Sequence, residues 1–331
     1  MAELRYHPLT RDWIMIASHR QNRPQMPRDW CPFCPGSGKV PDDFDVYKYD
    51  NDFPALSTTP PEPDDVATDL YRTAPSYGKC EVILYSPKHN AKLPELSVAH
   101  VTKLVDLWTE RFAELSADEK IKYVFIFENR GAAVGTTMPH PHGQIYAYPF
   151  IPKKLQLETE SCRDYHHEKG RCLICDMLAD ERRDGRRMVF ENEDFAVFIP
   201  FFCEYPYGIY IVSKSHKQNL TQFTAAERGN LARALRASVG TLDNLFDGKF
   251  LADGFPYMMC MYQNPVNSGD YSQDYHFHIE FFPPMRSAEK IKYNASSETG
   301  AWAHCNPTAP EEKAVELRAA YEIFCRNDKN A

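Results

Sequence analysis

Short apolar runs bounded by polar residues alternate along this chain with a few stretches of helical period. Residues 13–17 (Trp-Ile-Met-Ile-Ala) and 81–85 predict strands. After Ser97, Val101, Leu104, Val105, Trp108 and Phe112 recur at helical spacing, with Ser97 as the cap. Residues 123–127 are β-branched and aromatic and predict a strand that Asn129-Arg130-Gly131 breaks; 143–148 predict the next. The second half repeats the plan. Strands are expected over 195–199, 208–212, 257–262 and 275–282, and Thr224 with Glu227 three residues on forms a capping box opening a helix. The charged stretch 153–187 predicts a connection between halves 1–155 and 156–331. The Pro-rich acidic stretch 58–65 predicts a loop, and 311–324 a final helix. Short links favour an α+β fold, antiparallel sheet with helices packed on one face, over a parallel α/β sheet.

The two halves also carry the same metal-ligand residue types in the same order. The first reads Cys31-Pro-Phe-Cys34, Ser86-Pro-Lys-His89 and His140-Pro-His142; the second reads Cys172-Leu-Ile-Cys175, Ser213-Lys-Ser-His216 and His276-Phe-His278. A lone CxxC is a weak signal, but the doubled order marks an internal repeat. Zinc takes four ligands, thiolate and imidazole above all. Cys31, Cys34, His89 and one histidine of the 140/142 pair supply one such set. Cys172, Cys175, His216 and His276 supply a second, structural in role.

Composition narrows the class. A chain of 331 residues suggests about two domains, and 43% hydrophobic with 25% charged content is ordinary for a globular protein. The formal charge of −8 argues against a nucleic-acid binder that works by neutralising phosphates. No signal-peptide core and no run of membrane-spanning length is visible, so a cytoplasmic protein is expected. Ten cysteines in such a chain read as reduced thiols, four of them able to bind metal.

The repeats differ where chemistry is expected. His140 and His142 can face the same way, so one can ligate while the other acts as nucleophile toward phosphorus. The first copy continues Gly143-Gln144, the second Ile279-Glu280. Gly143 would let the backbone approach a phosphate, and the Gln144 amide would donate to its oxygen. Upstream, residues 129–137, including Asn129, Gly135 and Thr137, supply small residues and hydroxyls suited to an anion-binding loop. A carboxylate at Glu280 would repel phosphate, so the second copy is expected to be non-catalytic.

Asn129-Arg-Gly-Ala-Ala-Val-Gly…Pro139-His140-Pro-His142-Gly-Gln144 resembles the active-site signature of the galactose-1-phosphate uridylyltransferase family, within the histidine-triad superfamily. The likeness extends to residues 9–13 with His19-Arg20 and Arg23-Pro24, to Asn51-Asp52-Phe53, to 276–288, and to Lys292-Tyr293…Glu298. It implies two histidine-triad halves and a homodimer with shared active sites, while the two complete ligand sets predict about two zinc ions per chain. It also implies double displacement, His142 attacking UDP-glucose and galactose 1-phosphate accepting the uridylyl group. His140 would then be the ligand. Gln144 and Thr137 would hold phosphate oxygens, Asn51 and Asp52 the uridine, Arg20 and Arg23 the phosphates, and Lys292 with Glu298 the hexose. Some relatives hold a second metal with a carboxylate and three histidines, for which Glu158, His276 and His278 are partial candidates; the Cys pair fits better. An ADP-glucose phosphorylase is the alternative enzyme, and a zinc-stabilised binding protein without turnover is the third reading.

Overall fold

The computed structural model describes residues 2–22 and 30–328. In chain order the first half holds strands β1 (Ala2–His7), β2 (Asp12–Ala17), β3 (Tyr47–Asp50), β4 (Thr73–Pro75) and β5 (Lys79–Leu84), helix α1 (Val98–Ser116), and strands β6 (Tyr123–Arg130) and β7 (His142–Tyr148). Helices α2 (Lys153–Lys169) and α3 (Leu173–Asp184) follow, then β8 (Met188–Glu191), β9 (Phe195–Phe198) and β10 (Tyr210–Ser213). The chain continues with α4 (Ala225–Asp243), the short turn α5 (Leu245–Gly248), β11 (Tyr257–Tyr262), β12 (His278–Phe282), α6 (Ser296–Ala301) and α7 (Pro310–Asn327).

One nine-stranded antiparallel sheet runs through both halves in the order β3-β5-β7-β6-β11-β12-β10-β9-β8. The halves meet where β6 pairs β11, Arg130 opposite Tyr257. A separate three-stranded sheet, β2-β1-β4, forms from the N-terminal segment. The α+β expectation therefore holds.

Alternation of side chains across the strands decides what each face carries. Ile145 and Ala147 of β7 point into the main core with Val101, Leu104 and Trp108 of α1 and Leu231, Leu235 and Val239 of α4. His142, Gln144 and Tyr146 point to the opposite face. Both long helices start as the sequence indicates: Ser97 accepts from the His100 N–H, and the Thr224–Glu227 capping box closes on both sides. Each fully buried leucine contributes about 2 kcal/mol through area removed from water.

Three expectations change. The stretch 153–187 is largely helix, because Leu155, Thr159 and Cys162 on α2, and Ile174 and Leu178 on α3, form buried stripes. Their mean polarity hid that stripe. These helices cover Phe198 and Val212 on the face opposite α1 and α4, so helices lie on both faces of the second half. Strand β6 runs through Arg130 instead of breaking at Asn129, since Arg130 is anchored by two hydrogen bonds to Asp243 at 2.9 and 3.0 Å. Finally, β12 begins at His278, which leaves His276 in the preceding loop.

Leu235→Ala in α4 is expected to lower unfolding free energy by about 2–5 kcal/mol, and Thr224→Ala by about 1 kcal/mol. Urea titration of both variants checks the ranking; a larger loss from the exposed cap than from the core leucine contradicts this packing.

Candidate functional site

The first Cys-x-x-Cys closes on itself as a turn, the Cys34 N–H donating to the Cys31 carbonyl at 3.2 Å. His89 follows β5 and His140 precedes β7, and because Leu84 pairs with His142 the two loops meet at the same end of the sheet. One ligand atom from each of Cys31, Cys34, His89 and His140 lies within 4.8 Å of every other. Cys34 Sγ is 3.4 Å from His89 Nδ1 and 3.6 Å from His140 Nδ1, and Cys31 Sγ is 3.8 Å from His140 Nδ1. His140 Nε2 donates to the Ser86 carbonyl at 2.8 Å, which puts the Nδ1 lone pair toward the thiols.

Electrostatics fits a cation at this place. Burial pushes the His140 imidazole down to about 4, so it stays neutral, the form that ligates. Burial, with the neighbouring Cys34 thiol, pushes the Cys31 thiol up to about 11. Two thiolates held this close need a positive ion between them, and two thiolates with two imidazoles suit zinc.

His142 stands next in line. Its Nδ1 donates to the His140 carbonyl at 2.8 Å, so the lone pair is on Nε2. The Phe33 ring packs against both, its centroid 6.1 Å from His140 and 5.9 Å from His142. His142 borders a cleft of about 610 Å³ that Asn129, Thr137 and Gly131 also line. Gly135 adopts φ of 79°, which glycine tolerates best, and Thr137 is exposed beside it. Gln144 follows His142 on the same face. Gly143 serves an unexpected purpose: a Cβ there would lie 2.3 Å from the Tyr85 hydroxyl oxygen, so its close neighbour is a buried tyrosine on the core side.

Arg20 donates to the Phe53 carbonyl at 3.1 Å and to the Tyr146 hydroxyl at 3.2 Å, and so reaches the face of β7 that bears His142 and Gln144. Asn51 and Asp52 are in the same loop as Phe53; the Asn51 side chain accepts from the Phe53 N–H, and Asp52 accepts from Tyr49. Arg23 lies outside the described residues. Lys292 and Glu298 are elsewhere: they pair with each other at 3.4 Å, Lys292 beneath the Tyr205 ring, and neither lines the His142 cleft.

The second half reproduces the framework and alters the chemistry. Cys172, Cys175, His216 and His276 converge in the same way. The Ser213 carbonyl accepts from His276 Nε2 at 2.8 Å, and His278 Nδ1 donates to the His276 carbonyl at 3.0 Å, matching Ser86, His140 and His142. His276 therefore belongs with the cysteines and not with Glu158. His278 is buried between the rings of Tyr262 and Tyr210, 3.5 Å from Glu280. Lys154 sits 2.9 Å from Glu280 and 3.4 Å from Glu158. Burial alone would raise the Glu280 carboxyl; His278 and Lys154 instead hold it down to about 2. Glu280 is thus an internally neutralised carboxylate. The paired Ser-x-x-His repeats could have disclosed the serine carbonyl braces; nothing in the spacing disclosed Lys154.

Comparison with known proteins gives one answer. Residues 1–152 match the family model of the galactose-1-phosphate uridyl transferase N-terminal domain, and 158–298 that of its C-terminal domain. The chain is 41% identical over 319 residues to the galactose-1-phosphate uridylyltransferase of Thermotoga maritima, covering 96% of this chain and 98% of that one. A solved uridylyltransferase structure superposes with a TM-score of 0.87 at 30% identity, over 97% of this chain and 99% of the other. An ADP-glucose phosphorylase from Arabidopsis thaliana shares the fold, with a TM-score of 0.73 at 22% identity over 96% and 98%. Two matched halves and whole-length identity with one enzyme type converge: this chain belongs to the galactose-1-phosphate uridylyltransferase family.

Proposed function

We propose that this chain transfers a uridylyl group from UDP-glucose to galactose 1-phosphate by double displacement through His142. The observation that carries the reading is the hydrogen bond from His142 Nδ1 to the His140 carbonyl, which leaves the Nε2 lone pair available for attack. Nε2 attacks the α-phosphorus, the bond to glucose 1-phosphate breaks, and a uridylyl-histidine remains. Galactose 1-phosphate then attacks that phosphorus, and the imidazole leaves. Both sugar phosphates react through an oxygen that is already ionised, so neither step requires a general acid or base. Water as acceptor would require one.

In this reading Gln144 and Thr137 donate to phosphate oxygens, and Asn129 and Gly135 shape the loop around them. Asn51 and Asp52 hold the uridine, while Arg20 and Arg23 serve the phosphates. Residues 1–155 form the catalytic half. Residues 156–331 form a second half whose cysteine–histidine cluster is structural. Zinc held by Cys31, Cys34, His89 and His140, and by Cys172, Cys175, His216 and His276, supplies rigid cross-braces between loops. The distance of Lys292 and Glu298 from the His142 cleft, and the exposure of Tyr293 and Trp302 beside them, support a homodimer in which they serve the partner's hexose. No helix among the described residues is long and apolar enough to cross a membrane.

Initial rates should give parallel double-reciprocal lines, and UDP-glucose alone should release one glucose 1-phosphate per active site. His142→Ala should lose turnover by more than about a thousandfold while keeping its metal. Near-normal turnover in that variant removes the nucleophile, and charging by ADP-glucose with discharge by inorganic phosphate favours the phosphorylase instead.

Elemental analysis should find close to two zinc ions per chain. Cys172→Ser should lower metal content and melting temperature more than the chemical step; one ion per chain with unchanged stability eliminates the second site.

A further inference from the structure

Behind the nucleophile strand lies a buried polar cluster that the transfer chemistry leaves unused. One register step beyond the pair Phe127–Gln144, Glu128 of β6 stands opposite Gly143 of β7. It points to the core side, away from His142 and Gln144. The Tyr257 hydroxyl donates to Glu128 Oε1 at 3.1 Å. Tyr85 enters from β5 and passes under Gly143, filling the space a side chain there would take. Glu128 is 5% exposed and Tyr85 1%. The Tyr85 hydroxyl faces the Glu128 carboxyl, yet neither it nor Glu128 Oε2 has a hydrogen-bond partner within 3.5 Å among the described residues. Buried polar atoms left this way cost stability, and their retention calls for a purpose.

We propose that Glu128 is a positioning residue of the transfer reaction, which with Tyr257 and Tyr85 holds the Gly143 link between His142 and Gln144 from the core side of the sheet. The inference rests on the uridylyltransferase reading. In-line displacement needs the nucleophile and the phosphate donors fixed relative to each other, and a displacement of about 1 Å costs roughly a hundredfold in rate. Gly143 has no side chain with which to fix itself; its depth is set by what lies beneath it. Arg130, already committed to Asp243, is the adjacent cation, and Tyr85, Tyr257 and Asp243 are the other titratable groups that face Glu128. Burial pushes the Glu128 carboxyl up to about 7, against the pull of Arg130. A neutral carboxyl can donate as well as accept between two tyrosines. An ionised one there would put an uncompensated charge behind the phosphate site.

The test is the rate at which UDP-glucose charges the metal-loaded full chain, measured by rapid quench from pH 6 to 9. Glu128→Ala should charge at least tenfold more slowly, with half-saturation by UDP-glucose changed less than threefold. Glu128→Gln, uncharged and of similar size, should recover to within threefold of the native rate at pH 7 and hold that rate to pH 9, where the native enzyme slows. Native speed in the alanine variant overturns the proposal, as does a glutamine variant as slow as the alanine one. If Glu128→Ala does not fold, Tyr85→Phe reads the same contact: a loss of at least threefold is expected, and an unchanged rate overturns the proposal. Absence of charging in the native enzyme would instead count against the uridylyltransferase reading itself.

Discussion

A short relay of backbone carbonyls and imidazoles governs this molecule. The Ser86 carbonyl accepts a hydrogen bond from His140 Nε2–H and turns its Nδ1 toward the thiols; the His140 carbonyl accepts one from His142 Nδ1–H and leaves the lone pair on Nε2. Two adjacent histidines of equal intrinsic chemistry thereby receive opposite tautomers, one suited to a cation and the other to phosphorus. Everything else serves to hold that relay still. The cysteine turn closes it on one side, Phe33 packs over both rings, and the sheet brings β5 and β7 into register beneath it.

The same relay, duplicated at Ser213, His276 and His278, shows what the surroundings add. His278 has the backbone hydrogen bond of a nucleophile, yet it is buried between two tyrosine rings and faces a carboxylate. His278 and Lys154 together outweigh the cost of burial at Glu280 and keep it ionised. Where His142 borders a cleft of about 610 Å³, α2 and α3 lie over His278 and leave a smaller cavity of about 290 Å³ beside it. In the proposed reading, sheltering an imidazole from solvent and pairing it with an acid is what separates a structural position from a reactive one. Identical local geometry therefore supports two different outcomes.

The two Cys/His clusters and most of the strands flanking them were legible in the sequence because they depend on residue type at fixed spacing, and the repeat doubled the signal. The caps at Ser97 and Thr224 were legible for the same local reason. Helices α2 and α3 were not, because charge averaged over the segment concealed a narrow apolar stripe. The roles of Lys154 and Tyr85 were also hidden: each acts on a residue far away in sequence, through contacts that exist only once the sheet has formed. Gly143 illustrates the limit best. Its smallness was evident, but whether it made room for a ligand or for a neighbouring tyrosine depended on which face it occupies.

The central claim is that His142, and neither its ligand neighbour nor its second-half counterpart, carries the transferred group. Tandem mass spectrometry of peptides from the enzyme quenched after mixing with UDP-glucose tests it most directly. The account predicts one uridylyl adduct per active chain, stable in base and lost in acid, on the peptide fragment ion that isolates His142. An adduct on His140, on His278 or on no histidine contradicts it.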